Sequence, residues 1–499
     1  MHSSRLPWVF AVLSALILLG SGCGSALRCP GRGGVAWLEL TSPHFVLATD
    51  RTPQEAATSL RLFETAYQVL EQLAFESPTH RLPPQIHIAL FRKRAEYLEL
   101  GRPQTAGEFI SDVNGMDDEP RIALFGDVYN DTQNVFQHEL THYFIAHSVP
   151  NAPLWLHEGM AVFYETLRQQ DGVVVFGMPN PRFLTTVLRK RIPLAQLLQA
   201  DRAAFETDPP RYYGSAWLLV HLLRSGQHRD TASLHSYLTT MANGHSPSYA
   251  WNAAFGELGV SRIDTAYRDY LLTTPVHSRT GSFQPTEVAI SSSRWMSNSE
   301  IHILWAQLRN QHTDQDRRLQ QQDLTEALQH DPESPEVRYF MALLARQSDR
   351  KQAERLLGEA LARRSGDTRY LLALLQLRID EISAAAPDQR LTLQTECERL
   401  IARLKPQTHS ATALRLFADY QLALGQVAEG LLLAEQSVAT DPRCVQCRVT
   451  LATALAGNHQ PKESAQQLQI GINLLPHGTP VDLLQQTLQA RLRDGRKTP

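Results

Sequence analysis

Two short stretches bring together side chains able to do metal chemistry: His138-Glu139-Leu140-Thr141-His142, and Trp155-Leu156-His157-Glu158-Gly159-Met160-Ala161. The first has the form H-E-x-x-H. On a helix, four residues bring both imidazoles to one face about one turn apart, within reach of a single Zn²⁺. Glu139 lies one step round from His138, where its carboxylate can face a metal-activated water as general base without ligating the metal. A catalytic zinc takes three protein ligands and keeps one position open, so a third donor is required. Glu158 is the candidate, on a second helix that the Ser148-Val-Pro-Asn-Ala-Pro153 turn lets fold back beside the first. His157 competes for that role, but adjacent helical residues diverge by roughly 100°, so only one of the two can aim at the metal.

These residues need elements to hold them. The helix bearing H-E-x-x-H is expected to start at Asp131-Thr132, a good N-cap pair. Ahead of it, Val35–Leu40 and His44–Thr49 flank a turn signal at Thr41-Ser-Pro43 and read as two short strands. Pro53–Phe75 predicts an amphipathic helix, with Ala56, Leu60, Phe63, Ala66, Leu70 and Leu73 on one stripe. Ile86–Phe91 and Arg121–Phe125 are further strand candidates. Arg121–Phe125 is either an edge strand that pairs with extended substrate backbone or an ordinary core strand. From Gln133 to about Thr274 the pattern is mainly helical, including Tyr213–Ser225 and Ser233–Met241. The expected fold over residues 35–275 is α+β, a small sheet leading into active-site helices. A Ser/Thr/Gly/Pro-rich interdomain linker is expected over residues 276–299.

The pairing of "HELTH" with "WLHEGMA" resembles the gluzincin zinc peptidases, and among them the bacterial peptidase MA-like group. The similarity runs over about residues 35–275 and takes in "HFVLATD", "YYGSAW" and "AFGELGVSRIDTAYRDYL". The resemblance implies a zincin-like fold, one Zn²⁺ held by His138, His142 and Glu158, Glu139 as the base, and hydrolysis of a protein or peptide substrate. In that family a tyrosine hydroxyl often helps to stabilise the oxyanion. Tyr212 and Tyr213 open a helix here, Tyr212 being 54 residues after Glu158. The family pattern, a tyrosine followed directly by small residues, favours Tyr213 as the catalytic one, with plain packing the other role open to both. Glu165, seven residues past Glu158, either orients a ligand or lies exposed. Aminopeptidases of this clan carry a G-x-M-E-N signature that grips the substrate's free amine. Gly115-Met116-Asp117-Asp118-Glu119 occupies that region without matching, which argues against aminopeptidase activity.

The N-terminus has a different texture. Arg5 precedes an apolar run from Trp8 to Leu19, too short to cross a bilayer as a mature helix but suited to an export signal. Gly20-Ser21-Gly22-Cys23 resembles the lipobox of bacterial lipoproteins, although Leu19 sits one place earlier than that pattern prefers. Residues 1–23 would then be a lipoprotein-type signal and Cys23 the lipidated first residue, anchoring the chain to the membrane. Gly24 after the cysteine implies the outer membrane and a periplasmic face; a plain cleaved signal is the alternative. Residues 24–34, small and Gly-rich, read as a flexible tether.

Beyond residue 300, helix-length segments are punctuated at Asp331-Pro332, Ser365-Gly366, Asp441-Pro442 and Leu475-Pro476. The first two marks are 34 residues apart, as are the last two, and the middle gap holds two repeats and a small insertion. That period resembles the tetratricopeptide repeat (TPR), a two-helix unit that stacks into a solenoid over residues 300–493 and implies a protein partner.

Charge is balanced, with 48 Lys+Arg against 51 Asp+Glu, and no basic stripe with interleaved aromatics offers a surface to nucleic acid. Five cysteines are too few for a disulfide-built fold; Cys444-Val-Gln-Cys447 suits a local disulfide or two packed thiols, and Cys29 and Cys397 stand apart. The leading reading is an exported, lipid-anchored zinc metallopeptidase whose repeats recruit a partner or substrate. The other is an exported TPR scaffold that keeps the zinc domain as a structural or inactive module.

Overall fold

The computed structural model describes residues 27–74, 85–100, 105–110, 119–127, 131–178, 181–225, 228–257, 259–273, 278–309, 313–382, 385–404 and 410–475. Cys23, the signal segment and Gly115–Asp118 lie outside these. The strands are β1 (Leu38–Thr41), β2 (Phe45–Thr49), β3 (Ile86–Phe91), β4 (Gly107–Ile110), β5 (Arg121–Phe125), β6 (Arg168–Gln170), β7 (Val173–Phe176), β8 (Arg279–Ser282) and β9 (Ser292–Trp295). Six of them form a mixed sheet of order β4-β5-β3-β2-β1-β9, and β6, β7 and β8 form a smaller one. Strands β2, β3 and β5 run parallel at the centre, while β4, β1 and β9 are antiparallel to their neighbours. Arg121–Phe125 is therefore a core strand. The edge on that side belongs to β4, with β9 at the other, and the β4 sequence "GEFI" is too short to show a period and gave no strand signal.

The helices of this half are α1 (Pro53–Val69, continued by a π-helical turn over Leu70–Ala74), α2 (Arg94–Leu98), α3 (Asp131–Ser148), α4 (Leu154–Tyr164), α5 (Pro181–Lys190), α6 (Leu194–Leu198), α7 (Arg202–Thr207), α8 (Pro209–Ser225), α9 (His228–Ala242), α10 (Pro247–Phe255) and α11 (Val260–Thr273). A capping box between Thr52 and Glu55 starts α1. On one face of the sheet Phe45, Leu47, Ile86, Ile88, Leu90, Ile122 and Leu124 join a core with α1 and α3. There Phe63 of α1 stacks on Phe136 of α3 with ring centroids 3.7 Å apart. Helix α3 starts at Asp131, as expected, and the Thr132 hydroxyl donates to Phe125 O (3.3 Å), tying the end of β5 to the helix. The segment from Gln133 to Thr273 is mainly helical, as expected, with one hairpin in it. Asp171 (φ 51°) and Gly172 (φ 77°) make a two-residue turn between β6 and β7, a hairpin that Asp-Gly before three valines announces locally.

Adjacent residues of a strand face opposite ways, so the sheet has a second apolar face. Ala48, Ala89 and Ala123 stand side by side across β2, β3 and β5 and make that face shallow. Over it lie Leu27, Cys29, Trp37 and three residues of helix α12 (Asn298–Leu308): Ile301, Trp305 and Leu308. Two expectations are corrected by this layer. Residues 27–34 are no flexible tether, because Leu27 and Cys29 are buried and Pro30–Arg32 form a 3-10 turn closed by Gly33. Residues 276–299 are no free linker: β8 and β9 fall within them, β9 pairs with β1, and Thr286 exchanges two hydrogen bonds with the Gln68 amide. In both places Gly and Ser suggested flexibility wrongly, since pairing with a partner far along the chain leaves no local mark.

From α12 the chain runs as antiparallel helix pairs: α12 with α13 (Asp314–His330), α14 (Pro335–Ala345) with α15 (Arg350–Arg363), α16 (Thr368–Ile382) with α17 (Pro387–Leu404), α18 (Ala411–Ala423) with α19 (Val427–Thr440), and α20 (Val445–Gly457) with α21 (Pro461–Asn473). Asp331-Pro332, Ser365-Gly366 and Asp441-Pro442 fall between pairs, as expected of a stack whose loops recur, Leu475 follows the last described pair, and the long middle interval does hold two pairs. Cys444 and Cys447 form a disulfide at the start of α20. The far end comes back to the first half, where Asn473 donates to Gly244 O (2.8 Å) and Asn151 donates to His245 O (2.8 Å). If the layer of Ile301, Trp305 and Leu308 joins the two halves into one cooperative unit, Trp305→Ala lowers stability by about 3–5 kcal/mol and shifts a single urea transition. Two transitions, with only the solenoid's displaced, would refute that.

Candidate metal centre

His138 and His142 sit one turn apart on α3, their ring centroids 4.8 Å from each other. Glu158 Oε2 lies 3.4 Å from His138 Nε2 and 3.6 Å from His142 Nε2. One ligand atom from each of the three residues falls within 4.8 Å of the other two. Donors held at 2.0–2.2 Å around a tetrahedral ion stand roughly 3.3–3.6 Å apart. The measured separations suit that arrangement, so the residues present fit Zn²⁺.

Apolar anchors aim the ligands. Phe136, Leu140, Tyr143 and Phe144 bury one side of α3, leaving both imidazoles on the other. Trp155, Leu156 and Met160 do the same for α4, and Gly159 lets it press against α8. A Cβ there would stand 2.6 Å from Ala216 O and 2.7 Å from Val220 Cγ2, closer than any side chain could be accommodated. Gly159 thus sets how closely α4 lies against α8. Glu165 caps the C-terminus of α4, is buried, and places Oε2 3.1 Å from His138 Nδ1, so it orients the ligand from behind. His157 is no ligand in this geometry; its Nδ1 lies 3.4 Å from His142 Nδ1, on the far side of that ring.

The charges make a trap for a cation. Burial alone would raise the Glu158 carboxyl, but His142 and His138 outweigh it and hold the group well below the usual carboxylate range. Burial would likewise depress His138, yet Glu158, Glu165 and Glu139 raise it well above the ordinary histidine value. Ligating imidazoles must be neutral. In that state three buried carboxylates around two rings leave a negative excess that a divalent ion offsets better than one proton.

Glu139 faces elsewhere. Its Oε2 accepts from Phe109 N (2.8 Å) on the edge strand β4. That N–H points at the helix and away from β5, so the open edge of β4 runs past the Glu139 carboxylate. Gly107 makes the approach possible: a Cβ on it would meet Val135 Cγ1 at 2.5 Å and Glu139 Cγ at 3.3 Å. Phe109 packs edge-on to Tyr143 of α3 at 6.0 Å and fixes the strand. Neither residue was legible beforehand; the only signal was a glycine opening a four-residue run.

The two tyrosines separate clearly. Both lie in the second turn of α8, which begins at Pro209, earlier than expected. Tyr212 is buried and its hydroxyl accepts from Gln196 Nε2 (2.9 Å), which commits it to packing. The Tyr213 ring stands 6.4 Å from that of His138 and stacks on Phe183. Glu158 first, then burial and Glu139, raise its hydroxyl far above the ordinary tyrosine value, so it stays protonated.

No family model matches the chain, and no curated protein does. Among solved structures it is similar to a thermophilic TPR protein of Thermus thermophilus, at 14% identity and a TM-score of 0.34, covering 40% of this chain and 98% of that one. The role of Glu165 is open to measurement. Glu165→Ala weakens zinc affinity about 10–100-fold in competition with a chromophoric chelator; an unchanged affinity would show that His138 needs no support.

Proposed function

We propose that this chain is a zinc-dependent peptidase of gluzincin type, with a TPR-like solenoid that recruits a protein partner or substrate. The observation that carries the reading is the single oxygen of Glu158, 3.4 Å and 3.6 Å from two imidazoles one helical turn apart. Bound by His138, His142 and Glu158, Zn²⁺ would supply Lewis acidity toward water and toward the scissile carbonyl. The chain's own residues do the rest. An extended peptide adds to the open edge of β4, which sets its backbone alongside Glu139. Glu139 takes the proton of the attacking water and returns it to the leaving amine. The Tyr213 hydroxyl, kept protonated by Glu158 and burial, donates a hydrogen bond to the developing oxyanion.

We place the enzyme outside the cytoplasm, exported by residues 1–23 and anchored through lipidated Cys23 in the envelope, facing the periplasm. The Cys444–Cys447 disulfide suits an oxidising compartment. The helix pairs support a role in binding protein, and the balanced charge gives no reason to expect nucleic acid.

The test is cleavage of a generic unfolded protein by zinc-loaded chain. Glu139→Gln keeps its zinc and loses about 10²–10⁴-fold in turnover. Tyr213→Phe lowers kcat by about 10²–10³-fold with KM little changed. Zinc bound without turnover, indifferent to Glu139→Gln, would instead favour the scaffold with a structural metal. Substrates trapped on the Glu139→Gln protein would name what the enzyme cleaves.

A further inference from the structure

A second group of metal-binding side chains meets far from the H-E-x-x-H helix. Cys29 Sγ, one ring nitrogen of His302 and one of His330 all lie within 4.8 Å of one another. They arrive from three parts of the chain: the turn before Pro30, the middle of α12, and the last turn of α13. Cys29 Sγ is 3.7 Å from His330 Nε2, and the two imidazoles lie nearly parallel with centroids 5.7 Å apart. Cys29 is buried, His302 is only 3% exposed, and His330 opens to solvent.

His302 is the telling residue. Both of its ring nitrogens are buried and neither makes a hydrogen bond. The nearest carboxylates are Asp323, with Oδ1 3.6 Å from Nδ1, and Glu326, with Oε2 3.4 Å from Nε2. Each already serves an arginine: Arg309 pairs with Asp323, and Arg32 with Glu326 at 3.0 Å. A buried polar atom left without a partner costs about 1–3 kcal/mol, so two on one ring call for an occupant. A metal ion would engage one nitrogen and leave the other to a carboxylate, as metal-bound histidines generally require.

The donor types narrow the ion. One thiolate and two imidazoles suit zinc, or copper among softer ions, and do not suit calcium or magnesium, which take oxygen donors. The exposed His330 gives an ion a way in. Glu326 or water can complete the coordination.

We infer that Cys29, His302 and His330 form a second Zn²⁺ site, which clamps the N-terminal turn onto the first helix pair of the solenoid. Binding ionises the Cys29 thiol and releases its proton to solvent. The site stands apart from the proposed peptidase centre and does not depend on it.

Cobalt substitution tests this, because a thiolate ligand gives Co²⁺ an intense near-ultraviolet charge-transfer band that histidine and carboxylate ligands do not. Of the other cysteines in the folded body, Cys444 and Cys447 are joined in a disulfide and Cys397 is buried within the solenoid, so the band reports Cys29. Titration of the full chain is expected to raise the band to a plateau by two added equivalents, because the His138, His142 and Glu158 group takes up cobalt without contributing to it. Cys29→Ser abolishes it, and His330→Ala, a change at an exposed position, weakens cobalt binding at least tenfold. A folded chain that shows no band overturns the proposal, as does a band that survives Cys29→Ser or binds as tightly after His330→Ala. Copper displacing cobalt with the same dependence on Cys29 and His330 would keep the site and reassign its ion.

Discussion

The N-terminal half is organised around one buried carboxylate shared by two imidazoles. A charge of that kind is tolerated in an interior only where partners hold it, and Glu158 has both rings within 3.6 Å. Bringing them together requires two helices to meet closely at their polar sides. The apolar sides supply the force. Phe136, Leu140 and Phe144 bury α3 against the sheet and α1, and Trp155 buries α4 against Tyr237 of α9 and Trp251 of α10, each contributing roughly 1.5–3 kcal/mol. Gly159 sets how near α4 can come, and Glu165, Phe109 and Tyr213 then take up positions around the rings.

The two halves form one continuous body. The sheet has apolar residues on both faces, and only one face is covered by α1 and α3. The other would be exposed to water without α12 and the N-terminal turn, which is why the run Ile88–Phe91 can be apolar on both faces. The far end of the stack returns through Asn473 to the turn at Gly244, whose neighbour His245 is held by Asn151 in the α3–α4 connection. The solenoid is thus joined to the first half at both ends, through the sheet at α12 and through the turn at Gly244 at the far end. The proposed second zinc site sits at the first of these junctions.

Much of the candidate centre was legible because its residues are close in sequence. His138, Glu139 and His142 share one helix, and helical geometry alone puts the two rings on one side. Glu158 follows after a short turn, so its approach could be foreseen, and the repeat interval was equally local. What escaped was non-local. The four residues of β4, the pairing of β9 with β1 across more than 250 residues, and the burial of Cys29 beneath α12 leave no periodic trace. Gly-rich and Ser-rich stretches look slack because composition reports a segment's own preference and says nothing of what covers it.

The amino-acid sequence by itself determined the donor types, the helix that carries two of them, the third carboxylate, and the paired-helix character of the C-terminal half. Each of these follows from spacing of a few residues, where backbone geometry is the only thing that intervenes. Tertiary structure decided which strand forms the edge, which tyrosine faces the rings, that Glu165 stands behind His138 while His157 lies behind His142, and that Cys29 meets His302 and His330. Those outcomes depend on packing between separate elements, from 15 residues apart for His142 and His157 to 301 for Cys29 and His330, and no local preference encodes such a contact.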